Sequence, residues 1–250
     1  GAHRHHPILD LCRPAAELLQ LQQTLVEQCF PASTVLLPSG AQVAVRQCGQ
    51  RSGKPSIVLL HGISSGAASW LHPALLLAEH HHVLAWDAPG YGESTPLSDT
   101  SPSAQAYAER LNELLQVQGI TSCVLVGHSL GALMGAAYAA GAGRHCVQRL
   151  LLISPAGGYG AADAADKRER VRDERRGALR TLGVDGIAER IPARLLSDSA
   201  SAADRAWVQW NASRLHAKGY LQAVELLCNT DLGACRPLDM PVAVYRGDAD

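Results

Sequence analysis

The sequence predicts an α/β fold: a mostly parallel central sheet flanked by helices, with a helical cap inserted over the sheet's carboxyl edge. Three observations lead there. Short continuous apolar runs such as Ser56–His61, with Ile57-Val58-Leu59-Leu60 at its centre, suit strands buried on both faces. Such runs alternate with helix-period segments, which implies parallel strands joined by crossover helices. The alternation then stops after Pro155 and resumes only at Pro241.

Taken in order, apolar residues from Ile8 to Phe30 recur at three and four (Leu11, Ala15, Leu18, Leu19, Leu25, Val26), a helical stripe stopped by Pro31. Thr34–Leu37 and Gln42–Gln47 flank Pro38-Ser39-Gly40 and predict a hairpin. After the buried strand at 56–61 come a helix around Leu71–Glu79, a strand at Val83–Asp87 and an amphipathic helix over Ala104–Gln118. Cys123–Val126 is strand-like. Leu130–Ala142 is helical, and its small residues (Ala132, Gly135, Ala136, Ala139) allow close approach to a sheet. Leu150–Ile153 is strand-like again. Residues 156–236 show helix periodicity and no strand. The charged run Lys167–Arg176 carries both signs and reads as a solvated helix face. Val242–Arg246 returns to strand. The chain thus divides into an N-terminal helical segment (1–33), a core (34–155), a helical cap (156–236) and the core's continuation (237–250).

The composition narrows the function classes. With 250 residues, 47% of them hydrophobic, the chain can bury a large core without disulfides. A single phenylalanine leaves that core to Leu, Val, Ile and Ala. A net charge of −1 gives no electrostatic reason to expect nucleic acid or an anionic membrane as partner. The 7 cysteines are dispersed, odd in number and without a CxxC pair, which argues against a zinc ribbon or a disulfide framework and for a cytoplasmic setting. No run reaches the roughly 18 apolar residues of a membrane span. The polar, His-rich stretch Gly1–His6 lacks the apolar region of a signal peptide.

The chemistry concentrates at Gly127-His128-Ser129-Leu130-Gly131, a G-x-S-x-G directly between an apolar run and a helical segment. The pentapeptide alone is a weak signal; strand, turn and helix around it make it specific. A sharp turn there would lift the Ser129 hydroxyl above the sheet, and the flanking glycines would remove Cβ atoms that collide with neighbouring chain. His61-Gly62-Ile63 ends an earlier strand, so the Ile63 N–H can join that of Leu130 as an oxyanion hole. The His61 side chain is read as a structural tie for its loop. Asp87-Ala88-Pro89-Gly90-Tyr91-Gly92 reads as a fixed loop in which Asp87 satisfies backbone donors. Trp86 is expected in the core. Trp207 and Trp210 are expected to pack the cap on the sheet, with an acyl pocket as the other reading. His80-His81-His82 reads as the exposed end of a helix. No metal and no cofactor is indicated.

His61-Gly62-Ile63-Ser64-Ser65-Gly66-Ala67-Ala68-Ser69-Trp70, Asp87–Ser94 and Gly127–Ala132, in that order and spacing, resemble the α/β-hydrolase superfamily over about Thr34 to Asp250. That resemblance implies a triad in the order Ser, Asp or Glu, His. It assigns Ser129 as nucleophile and Asp250 as acid, with Asp248 as the fallback. It places the histidine roughly a helix and a strand beyond the acid, so the chain is read as truncated before its catalytic base.

A serine at position 129 argues against the branches that need an aspartate nucleophile, the haloalkane dehalogenases and epoxide hydrolases. The implied activity is hydrolysis of a small-molecule ester or lactone through an acyl-enzyme. Gly219–Ala223 and Asn229–Leu232 are similar to the cap end of the enol-lactonase branch. Two alternatives stay open. One is carbon–carbon hydrolysis of the meta-cleavage type, whose usual G-P-G and Ser-Asn are here Ser64-Ser65-Gly66 and Ser69-Trp70. The other is non-catalytic ligand binding on the same fold. Nucleic acid and membrane are not expected as partners; a homodimer is a possible assembly.

Overall fold

The computed structural model describes residues 14–247. Among these, seven strands form one sheet: β1 (Ala32–Leu36), β2 (Gln42–Cys48), β3 (Ser56–Leu60), β4 (Val83–Trp86), β5 (Cys123–His128), β6 (Val147–Ile153) and β7 (Val242–Tyr245). Their spatial order is β1-β2-β4-β3-β5-β6-β7. β1 pairs antiparallel with β2, and β2 with β4; all pairings from β4 through β7 are parallel. The fold class is the one the sequence predicts.

The apolar runs are continuous because both sheet faces are covered. Val58 and Leu60 of β3, with Leu84 and Trp86 of β4, join a core with α3 (Ala104–Val117) and α4 (Leu130–Ala140). Ile57, Leu59, Val83 and Ala85 point the other way. They meet Val26 and Phe30 from the region of α1 (Ala15–Cys29) and Leu71 and Ala74 of α2 (Leu71–Leu77). Trp86 is fully buried, as expected. α4 sits close to the sheet because Gly135 has no side chain: a Cβ there would already touch Leu60, Leu125 and Leu150.

The hairpin turns at Gly40, whose φ of +91° favours glycine and whose N–H donates to the Leu37 carbonyl at 2.9 Å. β1 starts two residues before the predicted Thr34. β6 starts at Val147 rather than Leu150, because the exposed Gln148 and Arg149 interrupt the apolar signal. α1 begins behind Pro14; the part of the predicted helix from Ile8 to Arg13 lies outside the described residues.

Beyond β6 come α5 (Ala165–Leu195), α6 (Ala202–Ala212) and α7 (Ala217–Asn229). Gly183, at φ +67° and ψ 176°, breaks α5 in two and turns its second half back toward the sheet's carboxyl edge. Ser201 and Asp204 cap α6 reciprocally, each side chain bonding the other's backbone N–H. α1 packs on α6, so the amino-terminal helix braces both the sheet and the helical region.

The charged run is not a purely solvated face. Arg168 donates to the carbonyls of Tyr159 and Ala161 at 3.0 Å each. Arg172 and Arg176 both reach Glu225 of α7, at 2.8 and 3.2 Å. The Glu225 side chain is only 7% exposed, so the helical pair is cross-linked through a nearly buried carboxylate.

Candidate active site

Ser129 stands at the junction of β5 and α4 with φ 54° and ψ −113°. A non-glycine residue rarely adopts positive φ, and holding it there costs on the order of 1–3 kcal/mol. The surroundings enforce it. The Ser129 N–H donates to the Ile153 carbonyl at 3.0 Å, while the Ser129 carbonyl accepts from the N–H groups of Ala132 and Ala156 at 3.1 Å each. The hydroxyl does not cap its own helix.

The flanking glycines act as the sequence predicts. A Cβ on Gly127 would stand 2.6 Å from the Gly131 carbonyl oxygen, and one on Gly131 would stand 2.5 Å from that of Leu60. Gly62 also passes close, though less tightly: its Cβ would lie 3.3 Å from that of Ser129. The loop after β3 therefore crosses directly beside the turn.

That loop is ordered by side chains rather than flexible. His61 is buried; its Nδ1–H donates to the Gly62 carbonyl at 2.8 Å, and its Nε2 accepts from the Ala88 N–H at 3.0 Å. Burial pushes its pKa down, with the Asp87 carboxylate opposing, so the imidazole is a neutral structural tie. Asp87 accepts from the Ala67 N–H at 2.9 Å, the backbone role expected of it. Tyr91 donates its phenolic hydrogen to the Ile63 carbonyl at 2.7 Å. Among the described residues the N–H groups of Ile63 and Leu130 have no acceptor, and both belong to segments that border Ser129.

A cavity of about 480 Å³ opens onto Ser129, His128 and Ile63. Trp70 and Trp207 line it, as do Ile191 and Leu195 of α5. Trp207 stacks on Trp210 with centroids 5.4 Å apart, so one ring of the pair walls the cavity and the other packs behind it. Both rings also pack against the core, so Trp207 combines the packing and the pocket role that the sequence left open. His82 is also corrected: it is buried, bonding Ser56 Oγ at 2.9 Å and Gln47 Oε1 at 2.7 Å, not an exposed helix end.

β7 runs parallel to β6 and delivers its carboxyl end to the same edge as Ser129; the Ser154 N–H donates to the Tyr245 carbonyl at 2.7 Å. Asp250 and Asp248 follow that strand and lie outside the described residues. Sequence reasoning missed Arg175 and Arg194, which line the cavity from α5. Their only signal was membership of a basic helix, which does not say which arginines turn inward.

The model of the Alpha/beta hydrolase family matches residues 57–249. The chain belongs to that family. It is 32% identical over 129 residues to Lipase 1 of Psychrobacter immobilis, covering 51% of this chain and 40% of the lipase. It is 33% identical over 97 residues to Epoxide hydrolase 4 of Mus musculus, covering 38% of this chain and 27% of that protein. These curated relatives are thus matched over less than half their length. Among solved structures, the enol-lactonase from Burkholderia xenovorans LB400 superposes with a TM-score of 0.73 at 21% identity, covering 86% of this chain and 81% of that one. At that identity the likeness speaks to the fold.

Proposed function

We propose that this protein is a serine hydrolase that cleaves a small carboxylic ester or lactone through an acyl-enzyme. The observation that carries this is Ser129 itself: a strained serine at the amino end of α4, bordering a cavity and engaged in no capping bond. Its hydroxyl attacks the substrate carbonyl, and the oxyanion that forms is held by the N–H groups of Ile63 and Leu130. The positive end of α4 adds to that field. The alcohol leaves, and water then releases the acid. Asp250, placed by the family's motif order after β7, would orient the histidine that takes the serine's proton.

A serine at this turn favours acyl transfer over the epoxide opening that gives the mouse relative its name. The apolar walls set by Trp70, Trp207 and Ile191 suit a small organic acyl group. Among the described residues no helix is long and apolar enough to cross a membrane. Six cysteines among the described residues, Cys29 through Cys235, are unpaired, which favours a cytoplasmic setting.

The test is a panel of p-nitrophenyl esters of short acyl chains. Hydrolysis by the wild type and its loss in Ser129→Ala support the assignment; equal rates in both remove Ser129 from the mechanism.

A further inference from the structure

Two guanidiniums border the cavity: Arg175 and the exposed Arg194 line it, and among the described residues no aspartate or glutamate does. Three other arginines of α5 are engaged, Arg168 with two carbonyls and Arg172 and Arg176 with Glu225. Among the described residues Arg175 donates to the neutral Tyr220 hydroxyl alone, at a long 3.3 Å. Among the described residues Arg194 bonds to nothing, and neither guanidinium is ion-paired. Arg175 is half-buried, near enough to Tyr91 for its charge to act on that phenol, and Tyr91 in turn holds Ile63.

We infer that the cavity binds an ester or lactone whose acyl part carries a carboxylate, with Arg175 and Arg194 as its anchors. This rests on the reading of Ser129 as nucleophile and adds the substrate class to it. A guanidinium presents a planar fork of donors that matches a carboxylate's two oxygens. Apolar walls such as Trp70 and Trp207 lower the local dielectric and strengthen that pairing. A neutral acyl chain leaves both cations without a partner. The two arginines lie on opposite sides of the break at Gly183, so a bound carboxylate would also tie the two halves of α5 together.

Calorimetric titration of the protein with monomethyl glutarate and with methyl pentanoate, which differ in the terminal carboxylate, tests this beside hydrolysis of both esters in a pH-stat. The half-ester is expected to bind at least about tenfold more tightly, and the difference to shrink as salt is raised. Arg175→Gln and Arg194→Gln are each expected to reduce that preference, and Arg175→Lys to retain part of it. Equal binding of the two esters by the wild type overturns the inference, as does a preference left undiminished in either folded glutamine variant. Hydrolysis of both esters with equal kcat/KM, abolished by Ser129→Ala, keeps the nucleophile and overturns the anchor. Arginine-dependent binding of the half-ester with no Ser129-dependent hydrolysis supports the anchor and overturns the nucleophile.

Discussion

The hydroxyl of Tyr91 donates to the carbonyl of Ile63 across 2.7 Å, joining the loop after β4 to the loop after β3. Tyr91 is buried, and its ring meets that of His61 edge-on at 4.8 Å. The Ile63 carbonyl and the Ile63 N–H flank one Cα, so fixing the loop at that carbonyl limits the rotations through which the N–H can swing. Tyr91→Phe is therefore expected to lower kcat about tenfold while moving KM little, since the donor is needed most in the transition state. Steady-state kinetics on one short-chain ester separates the two; an unchanged kcat would show that the loop holds its position without the bond.

Gly131 is enclosed by backbone, not by side chains that can move. A methyl there would meet the carbonyl oxygens of Leu60 and His61 at 2.5 and 2.7 Å. Gly131→Ala is expected to cost about 1–3 kcal/mol, read as a lower denaturant midpoint. Gly157→Ala is the control, because its Cβ would meet nothing within 4 Å.

Stability should fall in mild acid. Burial holds the folded His61 imidazole below its ordinary value of 6.5, and burial with the Arg51 charge does the same for His82. Below that value the unfolded chain binds more protons than the folded one, so the stability these groups leave intact at higher pH is lost as pH drops through 6.5. Denaturation at about pH 5.5 and about pH 7.5 should differ, the more acidic condition being the less stable. His61→Gln should flatten that dependence.

Glu225 joins α5 to α7 by accepting from Arg172, Arg176 and the Ser101 hydroxyl, the last at 3.0 Å. Glu225→Gln leaves Arg176 without its carboxylate and Arg172 with Glu169 alone, and is expected to cost about 1–3 kcal/mol. Faster amide exchange in α5 and α7 than in β3 and β5 would localise the effect.

What could be read in advance follows the range of the forces involved. Ser129 and its glycines were legible because the steric demand of the turn falls on residues two apart. The sheet was legible because β3 is buried over every residue and apolar from Ile57 to Leu60. β6 was clipped at its start because Gln148 and Arg149 face solvent. Arg175 was hidden for a different reason. Which arginine of α5 turns inward is decided by Glu225 and Tyr220 on α7, some fifty residues on, as their hydrogen bonds to Arg172 and Arg175 show. His82 was misread on similar grounds: its partners Gln47 and Ser56 come from β2 and β3. The proposed acid, Asp250, stands on motif order alone.

The most direct measurement is covalent trapping. Incubation with a p-nitrophenyl alkylphosphonate, followed by peptide mass spectrometry, should find the phosphonyl group on the peptide containing Ser129, with release of one nitrophenolate per labelled chain. An unmodified Ser129 in a preparation that hydrolyses esters, or a label that persists in Ser129→Ala, would contradict the account.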